Sequence, residues 1–217
     1  MTIPNSGIYL DNNATTRVCE EAVGAMMGVL AEDYGNPSSV HRFGQRARKL
    51  IDEARGKVAG LIGCGEHELI FTGGGTEAIS TAVRGLLAAR SPRKRIVTST
   101  VEHSATRELC AALARDGVAE VVEVGVDGLG RLDLGALGRA MEKPDEVALV
   151  TLLWANNETG VIFPIEEVAA RCKAGRVPLH VDGTQRVGKV ATEVRAVEGL
   201  SAMSFAGHKF HGPKGVG

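Results

Sequence analysis

The stretch Val147-Ala-Leu-Val-Thr-Leu-Leu-Trp-Ala155 is the longest apolar run in the chain, and the polar loop Asn156-Asn-Glu-Thr-Gly160 follows it. The run is far too short to span a membrane, and its first part, 147–153, predicts a β-strand. On both sides of this strand, segments with the spacing of strands and of helices alternate. This alternation predicts an α/β fold of three layers, α/β/α, in which a mainly parallel sheet is covered by helices on both faces.

The other predicted elements follow from the same patterns of apolar residues. Strands are predicted at 68–72, 95–99, 118–124, 178–182 and 202–205. Helices are predicted at 18–30, 40–61, 76–89, 105–115, 132–141 and 165–172. A strand-like run, Ile8-Tyr-Leu10, comes first, and the serines of Tyr34-Gly-Asn-Pro-Ser-Ser39 are expected to cap the second helix.

The composition is that of an ordinary soluble globular protein, with 44% hydrophobic and 24% charged residues in a chain of 217. A formal net charge of −1 gives no reason to expect a nucleic-acid or membrane partner. Residues 1–7 lack the pattern of a secretory signal. The four cysteines, Cys19, Cys64, Cys110 and Cys172, form no CxxC pair, so disulfides and structural zinc are poorly supported. A cytoplasmic location is expected.

Parallel sheets bind ligands at the carboxyl ends of their strands, so the residues after each predicted strand form the candidate site. Thr72-Gly-Gly-Gly-Thr-Glu77 opens a predicted helix, where free N–H groups attract anions such as phosphate. The stretch also fits a loose dinucleotide fingerprint, which is a weak signal by itself. A glycine-rich turn without a ligand is the third interpretation.

Other strand ends carry polar residues with both a functional and a structural interpretation. His103 suits ring stacking or proton transfer, although a lone histidine is more often structural. The amides around Asn157 are also common turn-formers. His180 and Asp182 suggest a metal pair, but the absence of a third ligand nearby in the sequence disfavours a metal site. Lys209, taken alone, resembles an ordinary surface lysine.

Taken together, these residues meet the chemical needs of one cofactor, pyridoxal 5'-phosphate. The cofactor has a phosphate dianion, a flat ring, a pyridine nitrogen that pairs with a carboxylate, and an aldehyde that bonds an amine. The glycine-rich loop, His103, Asp182 and Lys209 offer a partner for each of these groups. We therefore predict that the chain binds pyridoxal phosphate.

Ordered motifs run from about residue 8 to the last residue of the chain. They are Tyr9-Leu-Asp-Asn-Asn-Ala-Thr-Thr16, Tyr34-Gly-Asn-Pro-Ser-Ser39, His41-x-Phe-Gly44, Phe71-Thr72 with Gly75-Thr-Glu77, Glu102-His103, Asn156-Asn-Glu-x-Gly160, His180-Val-Asp-x-Thr-Gln185, and Gly207-His-Lys209 with Gly212-Pro-Lys-Gly215. In these motifs the chain resembles the cysteine desulfurases that donate sulfur for iron–sulfur cluster assembly. That family is class-V aminotransferase-like, has the fold-type-I architecture of pyridoxal-phosphate enzymes, and works as a homodimer.

The resemblance implies two catalytic residues. Lys209 would form the internal aldimine with the cofactor, and L-cysteine would displace its amine, which then takes the α-proton. His103 would stack on the cofactor ring and shuttle protons.

The resemblance also implies a set of cofactor contacts. Asp182 would pair with the pyridine nitrogen, Gln185 would touch the ring hydroxyl oxygen, and Asn157 would lie close to that edge. The remaining cofactor-binding residues would hold the phosphate, and they are Gly75, Thr76 and His208.

The sequence departs from the family pattern at a few positions in the site. Ala206 stands where the family usually has a serine whose hydroxyl reaches the phosphate, so weaker cofactor retention is expected. Ile79-Ser80 replaces an acidic or amide pair, and Gly183 replaces an alanine. These changes are expected to loosen the site without removing its chemistry.

The family continues past the position of Gly217 with a further strand and a small domain. That part carries the nucleophilic cysteine, the arginine that grips the substrate carboxylate, and a residue that reaches the partner subunit's cofactor. We expect residues 1–17 to be an N-terminal segment and residues 18–217 an incomplete cofactor-binding large domain, inactive alone. An iron–sulfur scaffold or another sulfur-accepting protein is the expected partner.

Three alternatives to a cysteine desulfurase remain open from the sequence. The first is a related pyridoxal-phosphate lyase such as a selenocysteine lyase. The second is a non-catalytic truncated chain, with an exposed sheet edge that invites aggregation. The third, supported only by the glycine pattern, is a dinucleotide-dependent oxidoreductase.

Overall fold

A computed structural model describes residues 7–217 of the chain, and residues 1–6 of the predicted N-terminal segment lie outside the described part. The helices are α1 (Glu20–Glu32), α2 (Arg42–Ile62), α3 (Gly75–Ala89), α4 (Ser104–Arg115), α5 (Leu134–Ala140) and α6 (Ile165–Ala174). The strands are β1 (Arg95–Ser99), β2 (Glu120–Val124), β3 (Val147–Leu153), β4 (Leu179–Asp182) and β5 (Leu200–Ser204). Three short 3-10 helices complete the fold, at Glu66–Glu68, Val194–Ala196 and Gly207–Lys209.

The five strands form one parallel sheet in the order β2-β1-β3-β4-β5. Strand β3 lies at its centre, and every one of its residues is buried. This explains the apolar run, because a central parallel strand covered on both faces has no side chain that faces water.

Helices pack on both faces of the sheet and create two apolar cores. One core joins residues of α3 and α4 to Ile96 and Leu149. The other joins residues of α5 and α6 to Val97 and Val150. The predicted three-layer α/β/α architecture is therefore confirmed, and Cys110 and Cys172 are buried in these cores as expected.

The predicted strand at 68–72 is wrong. A strand needs a backbone partner over several residues, whereas this stretch exchanges one pair of hydrogen bonds with Gly217. The Thr72 N–H donates to the Gly217 carbonyl at 2.8 Å, and the Gly217 N–H donates to the Thr72 carbonyl at 3.0 Å. Glu68 instead ends the short helix Glu66–Glu68, and Ile70 is 73% exposed.

Two smaller predictions near the N-terminus are also wrong. Ile8-Tyr-Leu10 has no strand partner among the described residues, and its side chains are exposed. The N-terminus of α2 is capped not by a serine but by His41, whose Nδ1 accepts a hydrogen bond from the Gly44 N–H at 3.4 Å. Neither Ser38 nor Ser39 provides the side-chain cap of this helix in the described structure.

The described residues contain no helix that is long and apolar enough to cross a membrane. All four cysteines are free in the described chain.

Truncation of a central strand residue is expected to destabilise the whole chain. Leu149 is fully buried in β3, so Leu149→Ala should lower the free energy of unfolding by about 2–5 kcal/mol through lost burial and the cavity left behind. Leu129 is 69% exposed, and Leu129→Ala should change the same quantity by less than about 0.5 kcal/mol. Urea denaturation of both variants measures the difference, and equal losses would mean that β3 is not the central strand.

Candidate active site

The carboxyl ends of the parallel strands open onto a cleft of about 280 Å³. All eight residues proposed from the sequence line it, namely Gly75, Thr76, His103, Asn157, Asp182, Gln185, His208 and Lys209. The other lining residues are Ala14, Ile79, Ala105, Leu153, Ala155, Thr184 and Ala206. The fold thus brings the eight predicted residues together, while the roles assigned to them stay predictions.

The N-terminus of α3 forms one wall of the cleft. The helix begins at Gly75 after Gly74, whose φ of 151° favours glycine, and of the described side chains none caps this end. A Cβ on Gly75 would lie 3.3 Å from the Cβ of Ala206, so the two loops approach closely here. The uncapped N–H groups of the first turn make this wall suitable for an anion.

Lys209 lies opposite, on the short helix that follows β5. Its Nζ donates to the carbonyl of Asn13 at 2.7 Å and to that of Ala14 at 2.9 Å. Burial lowers the pKa of the Lys209 amine, and the carboxylates of Asp182 and Asp11 oppose this shift. A lowered pKa leaves more of the amine unprotonated, which is the form that attacks a carbonyl carbon.

The loop of residues 11–16, called the N-terminal loop below, covers this side of the cleft and is bound to the lysine loop. The N–H and the hydroxyl of Thr16 both donate to the His208 carbonyl at 2.9 Å. The Nδ1 of His208 lies 3.0 Å from the hydroxyl of Thr15. Burial, followed by the positive charges of Lys209 and Lys214, lowers the pKa of His208. A neutral imidazole is therefore favoured beside the two lysines.

Asp182 ends β4 at the bottom of the cleft and is 6% exposed. Its Oδ1 accepts a hydrogen bond from the Thr184 N–H at 3.0 Å, which fixes the carboxylate. A buried carboxylate beside Lys209 offers a negative charge that a cationic ring nitrogen would neutralise.

His103 caps the N-terminus of α4, because its Nδ1 accepts a hydrogen bond from the Ala105 N–H at 3.1 Å. With Nδ1 as acceptor, the neutral ring carries its proton on Nε2. The imidazole is exposed at the cleft, and its orientation is set by its own helix.

Glu102, next to His103, is a buried acid whose character the sequence did not reveal. Its Oε1 accepts hydrogen bonds from the Ser99 hydroxyl at 2.5 Å and from the Leu153 N–H at 3.1 Å, so it joins the ends of β1 and β3. Its Oε2 has no partner among the described residues. Burial raises the pKa of Glu102 to about 8, against the effect of the hydrogen bond from Ser99.

Both ring nitrogens of His180 lie within hydrogen-bond distance of hydroxyl groups. Its Nδ1 lies 2.8 Å from the Thr151 hydroxyl and its Nε2 lies 2.9 Å from the Ser204 hydroxyl, so the ring bridges three neighbouring strands. Complete burial lowers the pKa of His180 to about 4 and keeps the ring neutral. Within residues 7–217, no group of three or more potential metal-ligating side chains is present.

Sequence reasoning missed the part that the N-terminal loop plays. The Asn13 carbonyl accepts hydrogen bonds from both Lys209 and Gln185, and the Asn13 side chain donates to the Asn157 carbonyl at 2.7 Å. The motif Asp11-Asn-Asn-Ala-Thr-Thr16 was the available signal, but its contacts use backbone carbonyls, which no residue type identifies.

The chain was compared with known protein families, curated proteins and solved structures. The chain matches the family "Aminotransferase class-V" over residues 8–217. It is 48% identical to a cysteine desulfurase of Cereibacter sphaeroides, over 97% of this chain and 54% of that protein. Among solved structures, it superposes on a NifS-like protein with a TM-score of 0.90 and 37% identity, over 96% of this chain and 57% of the other.

A second solved structure, described as SspA in complex with cysteine, has a TM-score of 0.91 and 28% identity over 97% of this chain and 60% of that one. The chain belongs to the class-V aminotransferase family. Within that family the relatives it resembles carry the name cysteine desulfurase, and the chain spans about half the length of the curated relatives it matches.

Replacing Glu102 is expected to change how stability depends on pH. The folded pKa of about 8 exceeds the ordinary value of 4.5, so the folded chain keeps a proton that the unfolded chain releases. Folding is therefore weakened as pH rises from the lower to the higher of these values, and the loss is complete above the folded pKa.

Glu102→Gln is neutral at every pH and should not show this slope. Between about pH 5 and about pH 9, its free energy of unfolding should gain a few kcal/mol relative to wild type. Urea denaturation at both pH values measures the gain, with Glu142→Gln on the exposed surface as control. If the difference in free energy of unfolding between Glu102→Gln and wild type is the same at both pH values, Glu102 is not buried in its protonated form.

Proposed function

We propose that the chain is the cofactor-binding portion of a pyridoxal-phosphate-dependent cysteine desulfurase, which removes sulfur from L-cysteine to leave L-alanine. The observation that carries this proposal is the convergence of Lys209, Asp182 and the uncapped N-terminus of α3 on one cleft. An amine, a buried carboxylate and an anion site are three different chemical groups, and pyridoxal phosphate uses all three at once.

The residues present fit this cofactor. The N-terminus of α3 has no side-chain cap among the described residues, so the N–H groups of its first turn can donate to a phosphate, together with Thr76 and His208. When bound, the cofactor supplies an electron sink that stabilises negative charge next to the substrate's amino group. Asp182 would keep the ring nitrogen protonated, and this proton makes the ring an effective sink.

Proton transfer falls to Lys209 and His103. The lowered pKa of Lys209 makes its amine available both to bond the cofactor and, once released, to accept the substrate's α-proton. The His103 ring, oriented by the hydrogen bond that its Nδ1 accepts from the Ala105 N–H, would cover the ring face and shuttle protons to and from the substrate. Asn157 and Gln185 would orient the cofactor edge that carries the ring oxygen.

The substrate and partners rest on the similarity to longer proteins. The matched structure described as a complex with cysteine supports L-cysteine as substrate. We propose that the longer protein is a cytoplasmic homodimer that passes sulfur to an iron–sulfur scaffold or another acceptor. Residues 1–17 would be its N-terminal segment and 18–217 most of its large domain. This portion is proposed to bind the cofactor but to be inactive alone.

The test is covalent capture of the cofactor by a single lysine. Purified chain incubated with pyridoxal phosphate should become yellow, and borohydride should fix the cofactor to Lys209 in a peptide identified by mass. Lys209→Ala should abolish the fixed adduct, whereas Lys143→Ala should retain it, because Lys143 contacts Glu146 away from the cleft. Colourless wild-type protein with no adduct would reject the proposal.

A hydroxyl at position 206 is expected to strengthen cofactor binding. Ala206 is 1% exposed and its Cβ lies against Gly75, so Ala206→Ser would place a hydroxyl beside the N-terminus of α3 and the proposed phosphate position. A hydrogen bond to a charged group contributes roughly 1–3 kcal/mol, which corresponds to a dissociation constant about 5- to 150-fold lower.

Equilibrium titration with pyridoxal phosphate, followed by absorbance, measures the change in affinity. Ala119→Ser, at a buried position before β2, serves as the matched control and should leave the affinity at the wild-type value. If Ala206→Ser binds pyridoxal phosphate no more tightly than wild type, residue 206 does not face the phosphate.

A further inference from the structure

The side-chain amide of Gln185 is held at both of its ends. Its Nε2 donates to the Asn13 carbonyl at 2.9 Å, and its Oε1 accepts a hydrogen bond from the Nζ of Lys189. Gln185 lines the cleft, whereas Lys189 lies four residues further along the chain, outside the lining. Lys189 is therefore the only one of these partners that belongs neither to the cleft nor to the N-terminal loop.

The two partners specify one orientation of the amide. If the amide were flipped, its oxygen would face the Asn13 carbonyl and its NH2 group would face the ammonium of Lys189. Both contacts would be repulsive, because each pairs two acceptors or two donors. The ammonium of Lys189 thus keeps the acceptor end of Gln185 outward and the donor end toward the cleft.

The donor end of Gln185 lies beside the amine of Lys209. Both groups donate to the same oxygen, the Asn13 carbonyl, at 2.9 Å and 2.7 Å respectively. A ligand oxygen at this point of the cleft would meet two N–H donors. Two N–H donors side by side suit an anionic oxygen. Because one donor is the Lys209 amine, this oxygen would belong to an aromatic ring that also carries the carbonyl carbon that Lys209 attacks.

The backbone places Lys189 close to Lys209 by a tight packing contact. Gly188 has a φ of 75°, and a Cβ there would lie 2.5 Å from the Cβ of Phe210, which directly follows Lys209. Burial, followed by repulsion from Lys209, lowers the pKa of Lys189. Repulsion between two ammonium groups is mutual, so the charge of Lys189 also acts on Lys209.

We propose that Lys189 is a positioning residue of the active site: it fixes the amide of Gln185 with its N–H toward the ring oxygen of the cofactor, and its positive charge favours an anionic oxygen there. This proposal rests on the proposed function, because it takes pyridoxal phosphate as the ligand. Lys189 would act on the cofactor only through Gln185 and through its charge.

The test compares Lys189→Met, which removes the charge and the donor, with Lys189→Arg, which keeps both. Lys173→Met is the matched control, since Lys173 pairs with Glu198 on the exposed surface. One readout is the affinity for pyridoxal phosphate together with the pH at which the absorbance of the bound cofactor changes. The other needs no cofactor and is the pH at which the Lys209 amine becomes reactive toward an amine-acylating reagent, located by peptide mass.

Lys189→Met should weaken cofactor affinity about 3- to 10-fold, as expected for the loss of a charged hydrogen bond that orients a ligand contact. It should also raise both pH midpoints by roughly half a unit to one unit, because a neighbouring positive charge no longer disfavours the protonated form. Lys189→Arg should restore the midpoints and most of the affinity, and Lys173→Met should match wild type.

Wild-type midpoints and affinity in Lys189→Met would overturn the proposal. So would a Lys189→Arg variant as impaired as Lys189→Met, because the lysine would then act through its shape alone. Loss of cofactor binding in every variant, wild type included, would reject the proposed function. In that case the midpoint of Lys209 reactivity in Lys189→Met would still decide whether the charge of Lys189 acts at the lysine.

Discussion

The site depends on the burial of β3 between β1 and β4 in a parallel sheet. Because all three strands run the same way, their carboxyl ends meet at one edge, and the residues that follow each strand become neighbours. Glu102 reinforces this edge, since its carboxyl group accepts hydrogen bonds from the ends of β1 and β3 together. The sheet therefore supplies both the scaffold and the floor of the cleft.

Charge below the cleft is restricted to few groups. Burial favours the neutral form of Glu102 and of His180, which both lie close to the floor. The carboxylates of Asp182 and Asp11 and the amines of Lys209, Lys189 and Lys214 then remain as ionic groups near the cleft. Each of these groups therefore biases where a ligand group of opposite charge can lie.

The sequence predicted the three-layer fold and named eight residues that the fold brings together in one cleft, because apolar period and strand-end position are local signals. It failed where a partner lies far away in the chain. The stretch 68–72 has strand-like residues, yet in the described chain its only backbone partner far away in the sequence is Gly217. The carbonyls of Asn13 and Ala14 hold Lys209, and the contact of Lys189 with Gln185 needs the turn at Gly188. Such contacts depend on backbone geometry, which residue type alone does not specify.

The bonds between the N-terminal loop and the lysine loop also constrain the order in which the protein folds. Asn13 and Lys209 are separated by 196 positions, and the contacts of Thr16 with His208 span nearly as far. Contacts of such long range are costly to close and form late. On the ribosome, the N-terminal loop must wait until the lysine loop has emerged before it reaches its partners. The newly made sheet would therefore assemble first, and the cleft would be completed last.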